Sequence, residues 1–245
     1  MKTDARVERE IEHSKKLKDS WEGAYYYWET PAGKKRYERR LAMISSHITP
    51  EMSVLEIGCG TGCFTLQFAE TKAHITAIDV SPDFLDIARK KVIASNVSFK
   101  IDNAYALSFE DSSFDTIVGS SVLHHLDIDQ ALKEFLRVLK PGGTIFFAEP
   151  NMLNPQIFIE RNVGFVKSYL HVSPDETAFV RGPLRKKIFQ YGFEDVTVAP
   201  FDFLHPLIFP PLVPFFQCFS LCIEKVPLLK EIAGSLFIQA KKPSQ

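Results

Sequence analysis

The sequence predicts an α/β fold in which helices cover both faces of a mostly parallel sheet, giving a three-layer sandwich. Short, β-branched apolar segments alternate with amphipathic helical segments from residue 53 to residue 150. The first of these segments stops at a tight turn formed by Gly58, Gly60 and Gly62. Acidic residues follow the apolar segments, at the sheet edge where such folds bind ligands. We therefore expect a ligand site at the carboxyl ends of the strands.

Composition restricts the classes of function. The chain has 245 residues, of which 45% are hydrophobic and 24% charged, as in an ordinary globular domain. Its net charge of −1 provides no general positive field, so we expect no nucleic-acid partner. A charged N-terminal segment argues against a secretory signal and predicts a cytoplasmic protein with reduced thiols. The four cysteines form two C-x-x-x-C pairs, which are not typical zinc ligands, so no metal is expected.

The chain divides into three parts of one domain, at residues 1–50, 51–150 and 151–245. Residues 5–20 predict an exposed amphipathic helix, and the aromatic residues of 21–33 suit either a lid over a pocket or a cap on the core. Residues 1–50 are therefore expected to form a helical N-terminal lid that carries these aromatic residues. A second helix is predicted over residues 34–48. Its three arginines are expected at the surface, although one could meet an anionic group of the substrate: Arg36, Arg39 and Arg40.

The glycine turn indicates a nucleotide-like ligand. Glycines can adopt positive φ and expose backbone N–H groups that no Cβ shields, and the helix that follows would present its own unpaired amides. The spacing is not that of the dinucleotide motif, because the third glycine of that motif would fall at Cys63. An acidic residue, Glu56, precedes the first glycine by two positions.

The run Leu55-Glu56-Ile57-Gly58-Cys59-Gly60-Thr61-Gly62 resembles the first motif of the class I S-adenosylmethionine-dependent methyltransferases. The order and spacing of later segments resemble that family up to about residue 150. The resemblance implies a Rossmann-like fold with seven strands, in which the last strand lies antiparallel between strands five and six. It also implies S-adenosyl-L-methionine as cofactor and S-adenosyl-L-homocysteine as product.

Several residues at strand ends are candidates for holding this cofactor. Asp79 ends the second strand, where a carboxylate can accept two hydrogen bonds from a ribose diol. Asp102 ends the third strand, and the resemblance implies contact with the adenine amino group, although such a residue can also cap a turn. The resemblance further implies that Glu56 holds the cofactor's ammonium group. The full candidate set is Tyr26, Glu56, Gly58, Cys59, Gly60, Asp79, Val80, Asp102, Asn103, Ala104 and Ser120.

Methyl transfer needs a base only if the acceptor must lose a proton. His124 and His125 are adjacent, so at most one of them should face the site. The candidates for the base are His124, His125, Glu149, His171 and His205. Of the residues near the strand ends, we select His125 and Asn151 as catalytic candidates.

The C-terminal part carries a substrate-side segment over residues 151–170 and a loop with Ser173 or Asp175 as a cap. A helix is predicted over 183–191, a sixth strand over 193–201 and the last strand over 234–240.

Residues 203–223 lack any charged residue other than His205, and four prolines argue against a straight spanning helix. This apolar, proline-rich insertion could be a lid around an apolar substrate, a peripheral membrane contact or a buried crossover.

We therefore expect a methyltransferase that acts on a small, hydrophobic or lipid-like acceptor. Two alternatives are a nicotinamide-dependent oxidoreductase and a non-catalytic, membrane-associated binding protein on the same fold. The sequence leaves open the acceptor, the methylated atom and the oligomeric state.

Overall fold

The computed structural model describes residues 2–18, 28–169, 173 and 175–244. A seven-stranded sheet forms its centre, with the order β3-β2-β1-β4-β5-β7-β6. Its first five strands run parallel, whereas β7 is antiparallel to both β5 and β6, which confirms the predicted sheet. The strands are β1 Ser53–Ile57, β2 His74–Asp79, β3 Val97–Ile101, β4 Phe114–Ser120, β5 Leu139–Pro150, β6 Glu194–Phe201 and β7 Ser235–Lys241.

Helices connect these strands, and several begin at a side-chain cap followed by proline. Thr30, Ser81 and Asn154 each accept a hydrogen bond from the first helical turn, and proline follows at the start of the helix. The helices are α1 Lys2–Lys18, α2 Pro31–Ser45, α3 Cys63–Phe68, α4 Pro82–Lys91, α5 Ile128–Val138, α6 Pro155–Asn162, α7 Gly164–Tyr169, α8 Arg181–Gln190 and α9 Val213–Ile223.

The core lies on both faces of the sheet. Phe147 and its neighbours pack with α5 and α8 on one face, whereas Phe146 and Ala148 pack with α2, α3 and α4 on the other. Successive strand residues point to opposite faces, which is why adjacent phenylalanines serve different layers. Full burial of each such side chain contributes roughly 1.5–3 kcal/mol.

Strand β5 begins at Leu139, which pairs with Phe114, and the next pair is Thr116 with Thr144, so the extra residues of this irregularity lie in β5. One local prediction differs from the structure. Ser173 and Asp175 cap no helix in the described part of the chain. They contact α1 instead, through Glu10 and Arg9 respectively.

The apolar insertion emerges at the carboxyl edge of the sheet. Phe201 and Pro150 both pair with Ser235, so the connection between β6 and β7 lies beside the end of β5. Within it, α9 buries only Val213 and Ser220. The interpretation of this segment as a buried crossover is therefore wrong for α9, most of which faces outward. No helix in the described ranges combines the length and apolar character needed to cross a bilayer.

Candidate active site

A cavity opens at the carboxyl edge of β1, β2 and β3, where the sequence predicts a ligand site. It is lined by the glycine turn, by the strand ends and by α1, which lies across it. Most of the predicted cofactor-binding residues reach it, and so does one of the two predicted catalytic residues. These are Gly58, Gly60, Asp79, Val80, Asp102, Asn103, Ala104 and His125.

The glycine turn requires glycine for two different reasons. Gly58 has φ +64°, and a Cβ on it would lie 2.4 Å from Cγ2 of Val122, so neither the backbone conformation nor the packing admits a side chain. Gly60 has φ +53°, but no atom lies within 4 Å of its Cβ position. The backbone of Gly60 therefore borders open space in the cavity, where a ligand can approach closely.

Asp79 combines a structural and a ligand-facing position. Its carboxylate accepts hydrogen bonds from the amides of Gly60 and Ser81, both at 2.8 Å, which fixes it beside the glycine turn. Burial raises the pKa of Asp79, although these two amides lower it. A carboxylate can accept about four hydrogen bonds, so acceptor capacity remains for the hydroxyl groups of a ligand.

Asp102 organises the loop that forms the next wall of the cavity. One carboxylate oxygen accepts from the amide of Asn103 at 2.8 Å, and the other accepts from the hydroxyl and the amide of Ser108 at 2.5 and 3.1 Å. The side chain therefore caps a turn, as the alternative interpretation predicts, and it lines the cavity as well. Beside it, Asn103 and Ala104 complete the wall.

Glu56 lies buried behind the cavity wall. It is 3% exposed, and its carboxylate accepts a hydrogen bond from Thr65 Oγ1 at 2.6 Å. Burial raises the pKa of Glu56 to about 8, opposed by Thr65 and reinforced by the charge of Asp79. Among the described residues, no lysine, arginine or histidine forms an ion pair with it. Within that part of the chain, this carboxylate therefore lacks a cation.

Two other predicted cofactor residues, Cys59 and Ser120, do not line the cavity. Cys59 packs into the core beside β1, where burial raises the pKa of its thiol. Ser120 turns its hydroxyl toward Arg40, at 3.3 Å from Nη1. Tyr26 lies outside the described residues. The side chains of Cys59 and Ser120 therefore do not form part of the cavity wall.

Asn151, the second catalytic candidate, requires a correction. Its side chain is fully buried, and its amide donates to the carbonyl oxygens of Glu231 and Ala233, both at 2.8 Å. Its side-chain oxygen accepts from the amide of Leu153. Since these bonds tie the end of β5 to the segment before β7, Asn151 holds the fold together and does not line the cavity.

The two adjacent histidines face different surroundings, as expected. His125 lines the cavity, and its Nδ1 lies 3.3 Å from Oε2 of Glu10 on α1, without the alignment of a hydrogen bond. His124 is buried between two carboxylates, with Nδ1 2.7 Å from Glu149 and Nε2 3.4 Å from Glu176. His124 and Glu149 are therefore part of a buried ion network and are not available as bases.

Helix α1 is a wall of the site that the sequence does not identify. Val7, Glu10, His13 and Ser14 line the cavity from this helix. Ser14 Oγ donates to Ser81 Oγ at 2.9 Å, at the cap of α4. The sequence does predict a helical lid at the N-terminus, but it expects residues 5–20 at the surface and places the ligand contacts on the aromatic residues that follow. The only feature of the α1 sequence that could indicate this contact is the regular spacing of its apolar residues. The same spacing is typical of a helix at the protein surface, so it does not predict a cavity wall.

The sequence also predicts the wrong environment for Arg40. It is expected at the surface, but it is 3% exposed and reaches the carboxyl ends of β4 and β5. Its neighbours Arg36 and Arg39 instead pair with Asp202 and Glu224, at 2.8 and 2.5 Å.

Comparison with known proteins gives a consistent result. The family model described as a methyltransferase domain matches residues 55–147. A demethylmenaquinone methyltransferase of Chlorobaculum tepidum is 32% identical over 177 residues, covering 71% of this chain and 67% of that protein. A ubiquinone/menaquinone biosynthesis C-methyltransferase of Shewanella sediminis is 35% identical over 125 residues, covering 48% of this chain and 50% of that protein.

Solved structures agree on the fold. Phosphoethanolamine N-methyltransferase 2 of Haemonchus contortus, solved with S-adenosyl-L-methionine, superimposes with a TM-score of 0.62 at 18% identity. The superposition covers 84% of this chain and 53% of that one. At this identity, the likeness concerns the arrangement of helices and strands.

Proposed function

The chain belongs to the S-adenosylmethionine-dependent methyltransferases, and on that premise we propose that it methylates a small, apolar, lipid-like acceptor. One observation carries the choice of acceptor: the cavity and an uncharged, outward-facing helix, α9, lie at the same edge of the sheet. The quinone methyltransferases among its relatives support it, since quinones are apolar ring compounds. An acceptor held at α9 would lie on the side of the sheet where the cofactor binds.

We assign the cofactor contacts to residues that the cavity brings together. Asp79 would bind the ribose hydroxyl groups, and the loop at Asp102 would surround the adenine. Glu56 would compensate the ammonium group, because it is a buried carboxylate without a cation among the described residues. When bound, S-adenosyl-L-methionine supplies a methyl group on a sulfonium, which is its own leaving group. The protein's contribution is then orientation, worth on the order of 7–11 kcal/mol of the barrier when fully realised.

His125 is our candidate for moving a proton. It is the histidine of the pair that lines the cavity, and Glu10 lies beside its Nδ1. Because its ring faces the cavity, His125 is placed to accept a proton from a hydroxyl or an acidic carbon of the acceptor.

Two alternatives from the sequence lose support. A nicotinamide-dependent oxidoreductase would need the dinucleotide glycine pattern, whose third position is Cys63 here. A non-catalytic protein has no need to keep Asp79 and Glu56 desolvated at the edge of a cavity, since buried carboxylates without cations are costly.

The acceptor assignment can be tested directly. The protein would be incubated with isotopically labelled S-adenosyl-L-methionine and either a short-chain naphthoquinol without a ring methyl group or a polar acceptor such as ethanolamine phosphate. We expect labelled product from the naphthoquinol only, measured by mass spectrometry, and none from an Asp79→Ala control. Transfer to the polar acceptor alone would rule out the apolar acceptor while keeping the methyltransferase.

We further propose that residues 203–223 contact a membrane surface peripherally. Phe215 and Phe219 on α9 are 64% and 50% exposed and stack on each other. The acidic residues near this segment are held by arginines, as Glu224 is by Arg39. Lys225 and Lys230 form no ion pair with a described residue, which leaves the margin of the apolar surface positive. Such a surface suits the headgroup region of anionic lipids.

Vesicle sedimentation tests this contact. The wild type is expected to pellet with vesicles containing phosphatidylglycerol, and a double variant, Phe215→Ser with Phe219→Ser, is expected to bind at least roughly tenfold more weakly, because each buried phenylalanine contributes about 1.5–3 kcal/mol. Phe189→Ser is the matched control, since Phe189 is 67% exposed on α8, outside the insertion. Wild-type protein that stays in the supernatant would exclude the membrane contact. Concentration-dependent dimers lost in the double variant would identify a second copy as the partner.

A further inference from the structure

Strand β3 lies at one end of the seven-stranded sheet, and β2 pairs with only one of its sides. Asn96, just before the strand, accepts from an amide of β2, and Asp102, just after it, donates to a carbonyl of β2. Alternate residues of a strand direct their backbone groups to opposite sides, so the even-numbered residues between these two face β2 as well. The amides and carbonyls of Val97, Phe99 and Ile101 therefore point outward, where the described residues provide no further strand.

These outward groups are only weakly engaged. The amide of Val97 donates to the carbonyl of Ala94 at 3.3 Å, and the carbonyl of Phe99 accepts from Arg89 Nη2 at 3.4 Å, which are long hydrogen bonds. Exposed apolar side chains lie on and beside the strand, since Ile101 is 52% exposed and Ile93, in the connection that precedes the strand, is 91% exposed. An apolar edge with open backbone groups can bind another strand.

The opposite end of the sheet is protected against such pairing. Strand β6 has an irregular register in which Asp195 has φ +52°. Arg185 Nε donates to the carbonyl of Val196 at 3.0 Å, and Pro200 has no backbone amide. Bulges, prolines and charged side chains are the features by which edge strands avoid pairing. Strand β3 has neither an irregular register nor a proline.

The one charged residue of β3 is held away from the edge. Lys100 Nζ lies over the ring of Phe109, 4.5 Å from its centroid, and 3.9 Å from a carboxylate oxygen of Asp102. Side chains alternate between the two faces of a strand, so Lys100 shares its face with Ser98, whereas the apolar residues of β3 lie on the other face. The strand is therefore apolar at its centre and at both ends, with one polar residue on each side of the centre.

We propose that β3 pairs with β3 of a second copy of this chain, antiparallel and with Phe99 on the twofold axis. In this register Val97 opposes Ile101, and Ser98 opposes Lys100, so apolar residues meet apolar residues and no like charges are directly opposed. The residues whose backbone groups point outward then pair with one another, as an antiparallel ladder requires. A second copy fits because the pattern of β3 is the same in both directions and is therefore its own complement. The proposal is independent of the proposed acceptor and of the proposed membrane contact.

Analytical ultracentrifugation of the full chain tests the pairing. We expect a mass that rises with concentration toward twice 27.8 kDa. Ile101→Pro removes an outward amide without affecting the bonds to β2, whereas the matched variant Ile101→Ala keeps that amide and shortens the side chain. Ile101→Pro should weaken the dimer on the order of tenfold or more, because two hydrogen bonds related by the twofold axis are lost, and Ile101→Ala should weaken it less. A wild type that stays monomeric at every concentration, or equal weakening by both variants, would overturn the pairing.

Disulfide formation tests the register and does not depend on the folding of a proline variant. In a background with Cys218→Ser and Cys222→Ser, protein carrying Ser98→Cys is mixed with protein carrying Lys100→Cys under mild oxidation. Directly opposed residues of an antiparallel pair that do not exchange hydrogen bonds have Cα atoms about 4.5 Å apart, which a disulfide can span. A cross-linked dimer is expected in the mixture and not in either protein alone.

Two results would assign the dimer differently. Equal cross-linking in the mixture and in either protein alone would overturn the register centred on Phe99. A dimer that persists in Ile101→Pro but is lost in the Phe215→Ser, Phe219→Ser double variant would show that the second copy binds at α9, and would overturn the assignment to β3.

Discussion

Two sets of buried charges lie at the carboxyl edge of the same sheet, and they differ in whether the protein itself completes them. The first set centres on His124, which lies between Glu149 and Glu176, while Arg161 contacts Glu176 at 2.5 Å. Glu149 also accepts from the amides of Val122 and Leu123, both at 3.0 Å. Burial opposes the ionisation of both carboxylates, but His124 lowers the pKa of each.

The second set is incomplete. Glu56 and Asp79 have no cation partner among the described residues, and burial raises the pKa of both. Arg40 has no anion partner in that part of the chain either. Glu56 in the second set and His124 in the first are both 3% exposed, so burial alone does not distinguish the sets. The difference is that one set is compensated within the fold, whereas the other has no opposite charge among the described residues and is the set that we propose binds the cofactor.

The first set stabilises the fold, and we propose that the second set binds a ligand. Substitutions in the first set should mainly reduce the free energy of unfolding, whereas substitutions in the second set should mainly reduce ligand affinity. Each of the following experiments measures both quantities.

The largest effect is expected for His124→Phe. This change leaves two buried carboxylates without their shared cation, and removing one partner of a buried ion pair costs about 3–5 kcal/mol of unfolding free energy. Urea denaturation at pH 6 measures the loss. His125→Phe is the matched control, because that ring lies in the cavity and should change the unfolding free energy by less than about 1 kcal/mol. Similar losses in both variants would remove the distinction between the two histidines.

The same network predicts a pH dependence. The pKa values of Glu149 and Glu176 are lowered from the usual 4.5, so their contribution to stability is present above 4.5 and lost as the pH falls. Burial opposes protonation of His124, but the two carboxylates raise its pKa above the usual 6.5. Its contribution is therefore complete below 6.5 and lost as the pH rises. The stability lost by His124→Phe should be largest between these two values.

Asp79→Asn should have an intermediate effect, chiefly on binding. The amide side chain keeps the shape but loses the charge that would bind a diol, and a hydrogen bond to a charged group is worth about 1.5–3 kcal/mol. Its NH2 group cannot accept, so the amide of Gly60 or of Ser81 also loses its acceptor, at a cost of about 1–3 kcal/mol of unfolding free energy. We expect the Kd for S-adenosyl-L-homocysteine to rise on the order of 10–100-fold, measured by calorimetry. An affinity within about threefold of the wild type would show that Asp79 serves only the glycine turn.

The candidate residues that line the cavity share a physical origin. Asp79 and Asp102 follow parallel strands, and parallel strands end at one edge, so their positions depend only on strand order. Asn151 follows a strand in the same way, yet it is not in the cavity. Its strand, β5, has antiparallel β7 beside it, and the backbone before β7 covers its end through the carbonyl of Gly234. A residue that follows a parallel strand is therefore expected in the cavity only where no antiparallel neighbour covers the end of that strand.

Arg40 could not be identified from its own stretch of sequence. It lies four residues from Arg36 and one from Arg39, and nothing local distinguishes the buried guanidinium from its paired neighbours. Its burial depends on Ser121 and Ser235, which are 81 and 195 positions away. The role of α1 has the same cause, since its contact with Ser81 spans 67 positions. The positions of such residues depend on tertiary packing, which local sequence patterns do not reveal.

The smallest expected effect concerns Glu56, which should release a proton when a ligand binds. Burial raises the pKa of Glu56 from its usual 4.5 to about 8, so at pH 7 this group is mostly protonated before a ligand binds. A bound ammonium group favours the ionised form, so binding should release about one proton at pH 7 and fewer by pH 9. Calorimetry in buffers of different ionisation enthalpy measures this number, and Glu56→Gln should reduce it to near zero.

The sign of the stability effect distinguishes this substitution from those in the completed network. Because the folded-state pKa of Glu56 is raised, its ionisation destabilises the ligand-free protein as the pH rises from 4.5 toward 8. Glu56→Gln should therefore be more stable than the wild type at pH 8 and indistinguishable from it near pH 4.5, while binding S-adenosyl-L-homocysteine more weakly. If the variant were instead less stable than the wild type at pH 8, Glu56 would be a charge that the fold itself requires, as Glu149 is.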